Sequence, residues 1–367
     1  MYLQGQLNLT NNMFYSEKIK KRIVSSDKSI IQTMKLMDEA FVKLFLVFED
    51  DHFLGIITNG DLQRSIIYNI PFETPIRKIL KRDGKLFAYE GDDREKIREW
   101  MLSKRAELMP VINDDGDLVD VIFWEDILPD MPKTDNRPKI DLPVIIMAGG
   151  KGTRLKPLTN VIPKPLIPVG DKTILEVIMD QFEDIGCTKF YMSVNYKADM
   201  IKYYLSQLVH KYDVEFFFET KPLGTIGSVS LLKGVINTPF FVSNCDSINE
   251  QDYRDVWDYH VSNHNDMTIV TMVKSFKIPY GVIETGDEGL MTALREKPEQ
   301  TYQVNTGVYI LNPELINEIP EGEFFHITQL MEKVQLKGGR VGCFPVSEHS
   351  WKDMGEWPEY LKLINVR

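Results

Sequence analysis

Residues 144–170, VIIMAGGKGTRLKPLTNVIPKPLIPVG, decide the fold, because a short apolar run leads directly into a glycine-rich loop. The run 144–147 has the length and composition of a buried central strand in a parallel sheet. The glycines that follow let the backbone turn sharply with its N–H groups exposed, which makes an anion-binding nest. Arg154 and Lys164 add positive charge, and charge-assisted bonds to phosphate are stronger than neutral ones. The stretch therefore predicts a phosphate-binding unit.

The amino-acid sequence of this loop distinguishes it from two better-known phosphate-binding loops. The Gly-Lys-Ser/Thr ending of a Walker loop is absent, and the third glycine of a dinucleotide fingerprint would fall at Thr153 or beyond. Gly-Gly-x-Gly-Thr-Arg-Leu followed by Pro-Lys-Pro-Leu instead resembles the signature of the sugar-1-phosphate nucleotidyltransferases, also called sugar-nucleotide pyrophosphorylases.

Strand and helix patterns alternate downstream of the loop, which predicts an α/β fold with a doubly wound, mostly parallel, Rossmann-like sheet. The expected strands cover residues 189–194, 214–219, 240–244 and 267–273, with helices between them. The helix that follows the signature has an apolar face at 3.6-residue spacing and ends at Gly186. Ligands of such sheets bind outside the carboxyl ends of the strands, so motif residues at those ends are site candidates.

Composition bounds the classes of function. The chain has 367 residues, 43% of them hydrophobic, which predicts more than one domain with a substantial core. The net charge of -11 argues against a nucleic-acid binder, because affinity for a phosphate backbone needs excess Lys and Arg. The three cysteines have no paired spacing, so we expect a reducing cytoplasmic location. No signal peptide or membrane-spanning run is apparent, and we expect no membrane anchoring.

The segment 129–138, PDMPKTDNRP, lacks apolar periodicity and predicts a linker. We accordingly divide the chain into an N-terminal module (1–130), a linker (131–141) and a catalytic domain (142–367). The N-terminal module repeats itself at an offset of about 64 residues, since VFEDD at 47–51 matches VINDD at 111–115. Each repeat predicts a helix, a strand, an acidic turn, a second strand and a closing helix.

This α+β repeat resembles a tandem pair of CBS motifs, which commonly binds adenosine or other nucleotides. The resemblance implies a nucleotide effector that contacts Thr58 and Asp61 in the first repeat and Asp126 in the second. Phe123 replaces the threonine in the second repeat, so at most one complete site is expected. Two alternatives stay open: the aspartates cap their closing helices, or the module acts in dimerisation or spacing without a ligand.

The nucleotidyltransferase resemblance also implies roles for residues along the catalytic domain. Arg154, Lys164 and Lys297 would be catalytic, and Asp246 and Asp353 would hold Mg²⁺, a cation that prefers oxygen ligands. The nucleotide-binding residues would be Ala148, Gly149, Gly150, Gly152, Thr153, Gly224 and Thr225. The sugar-binding residues would be Gly281, Glu296, Asn305 and Thr306. Without the resemblance, Thr225 would be interpreted as the cap of the helix that follows it.

The implied reaction joins a nucleoside triphosphate and a sugar 1-phosphate into a nucleotide sugar and releases pyrophosphate. The motif forms and the CBS pair look closest to glucosamine-1-phosphate guanylyltransferases of the legionaminic acid pathway, with GTP as the nucleotide. Mannose 1-phosphate, a heptose 1-phosphate or another triphosphate are alternatives, as is an acceptor of the choline-phosphate or lipid-linked branch. A non-catalytic nucleotide sensor or partner-binding protein is the alternative of a different class. We expect a homo-oligomer.

Overall fold

The computed structural model describes residues 16–80, 87–104, 106–127, 137–208 and 212–364. The chain divides into two compact units, Met1–Arg137 and Pro138–Arg367. Most of the predicted linker 131–141 lies outside the described residues, so the domain boundaries assigned from the sequence stay predictions. No helix of the described residues is long and apolar enough to cross a membrane.

The two sequence repeats of the first unit form two sheets with the same strand pairing. Its two three-stranded sheets have the orders β1-β2-β3 and β4-β5-β6, and in both the first pair of strands is parallel and the second antiparallel. Its helices are α1 (Glu17–Lys20), α2 (Ile30–Ala40), α3 (Asn59–Ile67), α4 (Arg94–Lys104) and α5 (Trp124–Ile127). Its strands are β1 (Ile23–Ser25), β2 (Leu44–Glu49), β3 (His52–Thr58), β4 (Ala88–Tyr89), β5 (Leu108–Ile112) and β6 (Leu118–Phe123).

The two sheets share one apolar cluster, because buried side chains of both strand sets pack together. Leu46 and Phe48 of the first sheet belong to the same cluster as Leu108 and Val121 of the second. A sheet with one apolar face must bury that face against another element. Each repeat here provides the cover for the other.

The second unit contains the remaining helices and strands of the described residues. Its helices are α6 (Ile174–Asp184), α7 (Ala198–Gln207), α8 (Tyr253–Ser262), α9 (Ile327–Leu336) and α10 (Trp357–Ile364). Its strands are β7 (Val144–Met147), β8 (Pro168–Val169), β9 (Lys172–Thr173), β10 (Lys189–Val194), β11 (Asp213–Phe218), β12 (Phe240–Asn244), β13 (Ser247–Asn249), β14 (Met267–Lys277), β15 (Val282–Thr285), β16 (Met291–Arg295), β17 (Glu299–Leu311), β18 (Val341–Val346) and β19 (Trp351–Asp353).

Among the described residues, seven strands form the main sheet in the order β11-β10-β7-β12-β17-β14-β18. The strand β17 is antiparallel to both of its neighbours, and the other pairs are parallel. The mostly parallel α/β sheet predicted from the sequence is therefore confirmed. The residues of β7 that precede Met147 are fully buried, as the apolar run predicts for a central strand.

Local sequence explains how α6 covers this sheet. Thr173 and Glu176 form a reciprocal capping box at its start, and Gly186 lies just past its end with φ +105°. Its buried Phe182 stacks on Tyr253 of α8 at 4.6 Å between ring centroids and contacts Phe241 of β12 at 5.2 Å. Aromatic pairs at such separations add to the stabilisation from area burial.

The expected helix between β11 and β12 is absent, and the described segment there contains a short 3₁₀ turn, Gly227–Leu232. The segment packs closely against another part of the chain, because a β-carbon on Gly227 would lie 2.7 Å from the carbonyl oxygen of Glu323. The backbone of another segment thus approaches the turn too closely for an ordinary side chain. This long-range contact could not be read from the local pattern.

His260 of α8 gives the second unit a pH-sensitive core. The ring is 3% exposed, and its Nδ1 and Nε2 lie 2.8 Å from Thr268 Oγ1 and 3.2 Å from Asn312 Oδ1. Burial lowers the pKa of His260 below its ordinary value of 6.5, although the Asn312 contact and Asp266 oppose the shift. The folded state therefore keeps this imidazole neutral at a pH at which the unfolded chain takes up a proton.

We expect the stability of the protein to fall as the pH drops through 6.5, partly because of this histidine. Thermal unfolding at pH 7.5 and pH 5.5 should show a smaller loss of Tm for His260→Gln than for the unmodified chain, since the other titrating groups are shared. Equal losses in the two proteins would contradict a neutral buried His260.

Candidate functional site

The site is built where two neighbouring parallel strands end. Met147 of β7 and Asn244 of β12 are paired in register, so the residues that follow them leave the same edge of the sheet. Ala148 begins the glycine loop, and its N–H donates to the carbonyl of Ser193 at 2.9 Å. Asp246 leaves the end of β12 two residues after Asn244. The topology thus places the loop and the first carboxylate side by side, as the sequence predicts.

The glycines of the loop are required by close approaches. Gly152 has φ +60°, and a β-carbon there would lie 2.8 Å from Thr159 Cγ2. A β-carbon on Gly149 would lie 2.9 Å from Oε1 of Glu219, a buried carboxylate that accepts hydrogen bonds from Ser193 Oγ at 2.5 Å and Leu223 N at 3.2 Å. Gly150 is exposed, and nothing lies within 4 Å of its β-carbon position. The loop backbone is therefore packed tightly at Gly149 and Gly152 and is open to solvent at Gly150.

Lys164 and Asp246 form a partly buried ion pair at the edge of the sheet. The Lys164 ammonium contacts Asp246 Oδ2, and the two side chains are 9% and 17% exposed. Lys164 lies in a 3₁₀ turn that Pro163 precedes and Pro165 stiffens. Few rotamers are open to a lysine this buried, so its charge is held at a defined point.

A two-stranded ribbon brings the second predicted metal ligand to the first. Strand β13 pairs with β19, and Ser247 lies opposite Asp353. The N–H of Met354 also donates to the carbonyl of Asp246 at 2.8 Å. Backbone hydrogen bonds therefore hold Asp246 and Asp353 together, although 106 positions separate them in the chain numbering.

Arg154 completes the charged cluster. Its Nη1 donates to Glu356 Oε1 at 2.9 Å and lies 3.9 Å from Asp353 Oδ2. The groups converge on Gly355, where a β-carbon would lie 2.7 Å from Asp353 Oδ1 and 2.9 Å from both Arg154 Nη2 and Lys164 Nζ. The structure thus brings together the predicted cations and carboxylates of the signature, β12 and β19.

The electrostatics of this cluster suit a divalent cation. Burial raises the pKa of Asp353, and the charge of Asp246 raises it further, against the lowering effects of the Gly355 N–H, Lys164 and Arg154. Two carboxylates that disfavour each other's ionisation are stabilised when a cation lies between them. Among the described residues no group of three His, Cys, Asp or Glu could hold a metal alone. The pair therefore fits Mg²⁺ with water and substrate phosphates as its remaining ligands.

The sugar-side residues of β17 lie beside the same edge. The pairing of β14 with β17 is irregular between Ile269, which lies opposite Tyr309, and Thr271, which lies opposite Asn305. Asn305 Oδ1 accepts from the N–H of Gly307 at 3.0 Å, and Gly307, with φ +84°, lies against the amide of Asn244. The irregularity therefore turns the 305–307 segment toward the end of β12.

Thr306 is buried, and its hydroxyl is engaged within the core. It donates to the carbonyl of Val270 at 2.8 Å and lies 3.4 Å from Asn249 Nδ2. Trp351 Nε1 donates to the Thr306 carbonyl at 3.2 Å. A direct sugar contact of this side chain has no support in these contacts, and its sugar-binding role stays a prediction.

The other sugar-side candidates gather on the β15–β16 hairpin. Gly281 precedes β15 and Glu296 follows β16, and a β-carbon on Gly281 would lie 3.0 Å from Glu296 Oε2. Lys297 has φ +45°, and its ammonium lies 3.8 Å from Glu296 Oε1. Both side chains are more than half exposed. Within the described part of the chain, no hydrogen bond or ion pair connects this hairpin group to Arg154 or Lys164.

Gly224 and Thr225 pack against the segment that starts α9. Gly224 has φ +82°, and a β-carbon there would lie 2.5 Å from the carbonyl of Phe325. Thr225 Oγ1 accepts from the N–H of Ile327 at 2.9 Å. The sequence-based expectation that Thr225 caps the helix following it is therefore wrong, because its hydroxyl bonds to the first residue of the distant α9.

Three residues around the cluster were missed in the sequence. Glu356 pairs with Arg154, Trp357 Nε1 donates to the Lys156 carbonyl at 3.1 Å, and Lys197 Nζ donates to the carbonyls of Asn160 and Val161 at 2.6 Å each. Glu356 and Trp357 could have been found from their positions, three and four residues after Asp353. Nothing local to Lys197 indicates its contact, since it lies 36 residues after Val161.

In the first unit, the predicted effector residues make helix-capping contacts. Thr58 N donates to Asp61 Oδ2 at 2.9 Å, and Asp61 N donates to Thr58 Oγ1 at 3.2 Å, which forms a capping box on α3. Phe123 N donates to Asp126 Oδ2 at 2.9 Å at the start of α5. The capping alternative thus describes observed contacts of both aspartates. Their ligand role stays a prediction.

Comparisons with known proteins agree with this geometry. Residues 143–366 match the family model described as nucleotidyl transferase. The chain is 34% identical over 232 residues to a mannose-1-phosphate guanyltransferase of Saccharomyces cerevisiae, with 59% of this chain and 62% of that protein covered. It is 34% identical over 230 residues to the mannose-1-phosphate guanylyltransferase catalytic subunit beta of Drosophila melanogaster, with 59% and 60% covered. The chain thus spans less than two thirds of the length of these relatives.

Among solved structures, HddC from Yersinia pseudotuberculosis is similar, with 28% identity, a TM-score of 0.49, and 60% of this chain and 97% of that chain covered. The matched residues make up more than half of the chain and include the glycine loop, the two aspartates and the three predicted cations. This chain belongs to the nucleotidyl transferase family.

Proposed function

We propose that this protein is a sugar-1-phosphate nucleotidyltransferase, which joins a nucleoside triphosphate to a sugar 1-phosphate and releases pyrophosphate. The observation that carries the proposal is the convergence of Arg154, Lys164, Asp246 and Asp353 on Gly355, beside a glycine loop, in a member of this family. Cations, carboxylates and exposed backbone amides in one place suit charge stabilisation of a phosphoryl transfer.

The nucleophile in this reaction is a phosphate oxygen, which is ionised at neutral pH and needs no general base. The protein therefore has to position two anions and neutralise their charge. The amides of the 149–152 loop would bind phosphate oxygens, and Lys164 would exchange Asp246 for the triphosphate. Arg154 would bind the triphosphate through the guanidinium arm that Glu356 leaves open. Lys297 would align the sugar phosphate from the hairpin side.

A bound Mg²⁺, held by Asp246 and Asp353, would neutralise charge on the reacting phosphoryl group. Asp246 is the counter-ion of Lys164, and Asp353 Oδ2 lies 3.9 Å from Arg154 Nη1. The protein thus carries its own internal counter-ions for both the cations and the anions of the site.

For the substrates, we propose GTP and glucosamine 1-phosphate. The similarity to mannose-1-phosphate guanyltransferases supports guanine, and it equally favours mannose 1-phosphate as the alternative sugar. A heptose 1-phosphate, or another nucleoside triphosphate, is the further alternative. A hydrophobic or shape-based pocket separates such closely related sugars by small free energies.

We further propose that the first unit is a tandem CBS module with one nucleotide effector site at Thr58 and Asp61. The repeated sheets support the module, and the contacts of the second repeat support a single site. There, Lys18 Nζ lies 3.8 Å above the Phe123 ring, and the Arg22 guanidinium pairs with Glu107. Phe123 stands where the first repeat has Thr58, so the second repeat presents an aromatic ring in place of a hydroxyl.

The reaction is tested by pyrophosphate release with Mg²⁺, with four nucleoside triphosphates crossed against glucosamine, mannose, glucose and heptose 1-phosphates. We expect release with GTP and one sugar phosphate, with a nucleotide-sugar product of the corresponding mass. Release with a different triphosphate would remove the guanylyl assignment and keep the reaction class. Silence over the whole grid, with and without AMP as effector, would instead favour the non-catalytic sensor.

Gly355→Ala should lower turnover by about 10²-fold, because a methyl group would displace Asp353, Arg154 and Lys164 from their meeting point. Gly355 is not among the positive-φ glycines, so the backbone accepts alanine and thermal unfolding should change little. Gly286→Ala on the hairpin is a matched control, since its β-carbon would lie 3.0 Å from the methyl of Thr292 alone. Near-normal turnover of Gly355→Ala would contradict the proposed site.

For the CBS module, calorimetry of the full chain with AMP should show one equivalent bound. Thr58→Val should weaken binding about tenfold or more, because a hydroxyl that bonds the ligand is lost. Asp115→Asn, in the exposed turn between β5 and β6, is the control and should bind AMP as the unmodified chain does. Equal affinity of the Thr58 variant, or no binding at all, would leave capping as the role of these residues.

A further inference from the structure

We propose that Glu356 is a positioning residue that holds the Arg154 guanidinium at the phosphate site. The inference rests on the proposed function, in which Arg154 binds the triphosphate. Glu356 itself would contact no reacting atom. It acts through the arginine.

Crowding of like charges makes such a residue necessary. Arg154 Nη2 and Lys164 Nζ each lie 2.9 Å from the β-carbon position of Gly355, so two cations approach one point closely. Like charges that face the same point repel, and the Arg154 side chain is long and 57% exposed. Without a restraint the guanidinium would move away from Lys164 into solvent.

The closest carboxylate available for this restraint is Glu356. Its Oε1 lies 2.9 Å from Arg154 Nη1, whereas Asp353 Oδ2 lies at 3.9 Å. Asp353 also accepts the N–H of Gly355 at 2.7 Å, so part of its bonding capacity is used. The Glu356 contact is also the first cause of the raised pKa of Arg154.

The geometry of the arginine fork explains what the pair achieves. Nη1 is bound to Glu356, and Nη2 faces the point where Lys164 and Asp353 meet. A planar guanidinium with one arm fixed has its other arm fixed as well. Exposed ion pairs contribute little to the stability of a fold, so the value of this pair lies in orientation.

Glu356 is itself anchored from both sides. Its carbonyl accepts the N–H of Tyr360 at 3.1 Å in the first turn of α10. The next residue, Trp357, donates to the carbonyl of Lys156 within the signature loop. Tyr360 OH donates to the Pro168 carbonyl at 3.3 Å. The element that carries the carboxylate is thus tied to the loop that carries Arg154.

A double-mutant cycle separates positioning from a structural role. We expect Glu356→Ala to lower kcat about tenfold in the unmodified chain and to have no further effect in Arg154→Ala, because coupled residues are non-additive. Glu356→Gln keeps an acceptor oxygen and should recover part of the loss. Glu359→Ala is the matched control, since Glu359 lies in the first turn of α10, which begins directly after Glu356, and pairs with Lys362 at 2.7 Å. It should change neither kcat nor Tm.

A second measurement uses a ligand that contains neither a nucleobase nor a sugar. Calorimetry with inorganic tripolyphosphate should show binding weakened about tenfold by Glu356→Ala and unchanged by the same substitution in Arg154→Ala. A chain that shows this coupling but turns over no sugar phosphate would overturn the proposed function and keep the positioning role. Additive effects in an active enzyme, or tripolyphosphate binding indifferent to Glu356, would overturn the positioning role and keep the function.

Discussion

The ion pair between Lys164 and Asp246 is the interaction on which the catalytic unit is organised. A lysine that is 9% exposed must have a counter-ion nearby, because an unpaired buried charge is strongly unfavourable. The pair fixes the end of β12 against the signature loop, and the β13–β19 ribbon then places Asp353 and Gly355 beside it. Arg154 and Glu356 complete the charge balance at the rim. The Lys164–Asp246 ion pair thus links the packing of this edge of the sheet to the proposed chemistry.

Much of the catalytic fold could be predicted because its signals are local. The apolar run 144–147 indicates the central strand, and the strands at 189–194 and 240–244 have the predicted bounds. The edge that gathers Arg154, Lys164 and Asp246 follows from the rule that parallel strands end together. The resemblance of the motifs to a known family, together with this rule, was therefore enough to find the charged cluster.

The features that were missed are those set by contacts between distant segments. The 3₁₀ turn Gly227–Leu232 stands where a helix is expected, and the backbone at Glu323 packs against it. Thr225 caps α9 rather than its own segment, and Lys197 supports the signature loop from another helix. Glu356 has an ordinary surface composition around it, and its partner lies 202 residues earlier. None of these pairings has a periodicity or motif that a single sequence displays.

The position of β19 in the chain has a consequence for how the protein becomes active. A nascent chain emerges from its N-terminus, and domains fold in that order during synthesis. The glycine loop and six strands of the main sheet precede β18, and β19 follows them all. A ribosome would therefore have released nearly the whole catalytic unit before the second carboxylate existed. Until then the loop could attract phosphate without the second proposed metal ligand, which makes the β13–β19 ribbon the last part of the proposed site to form.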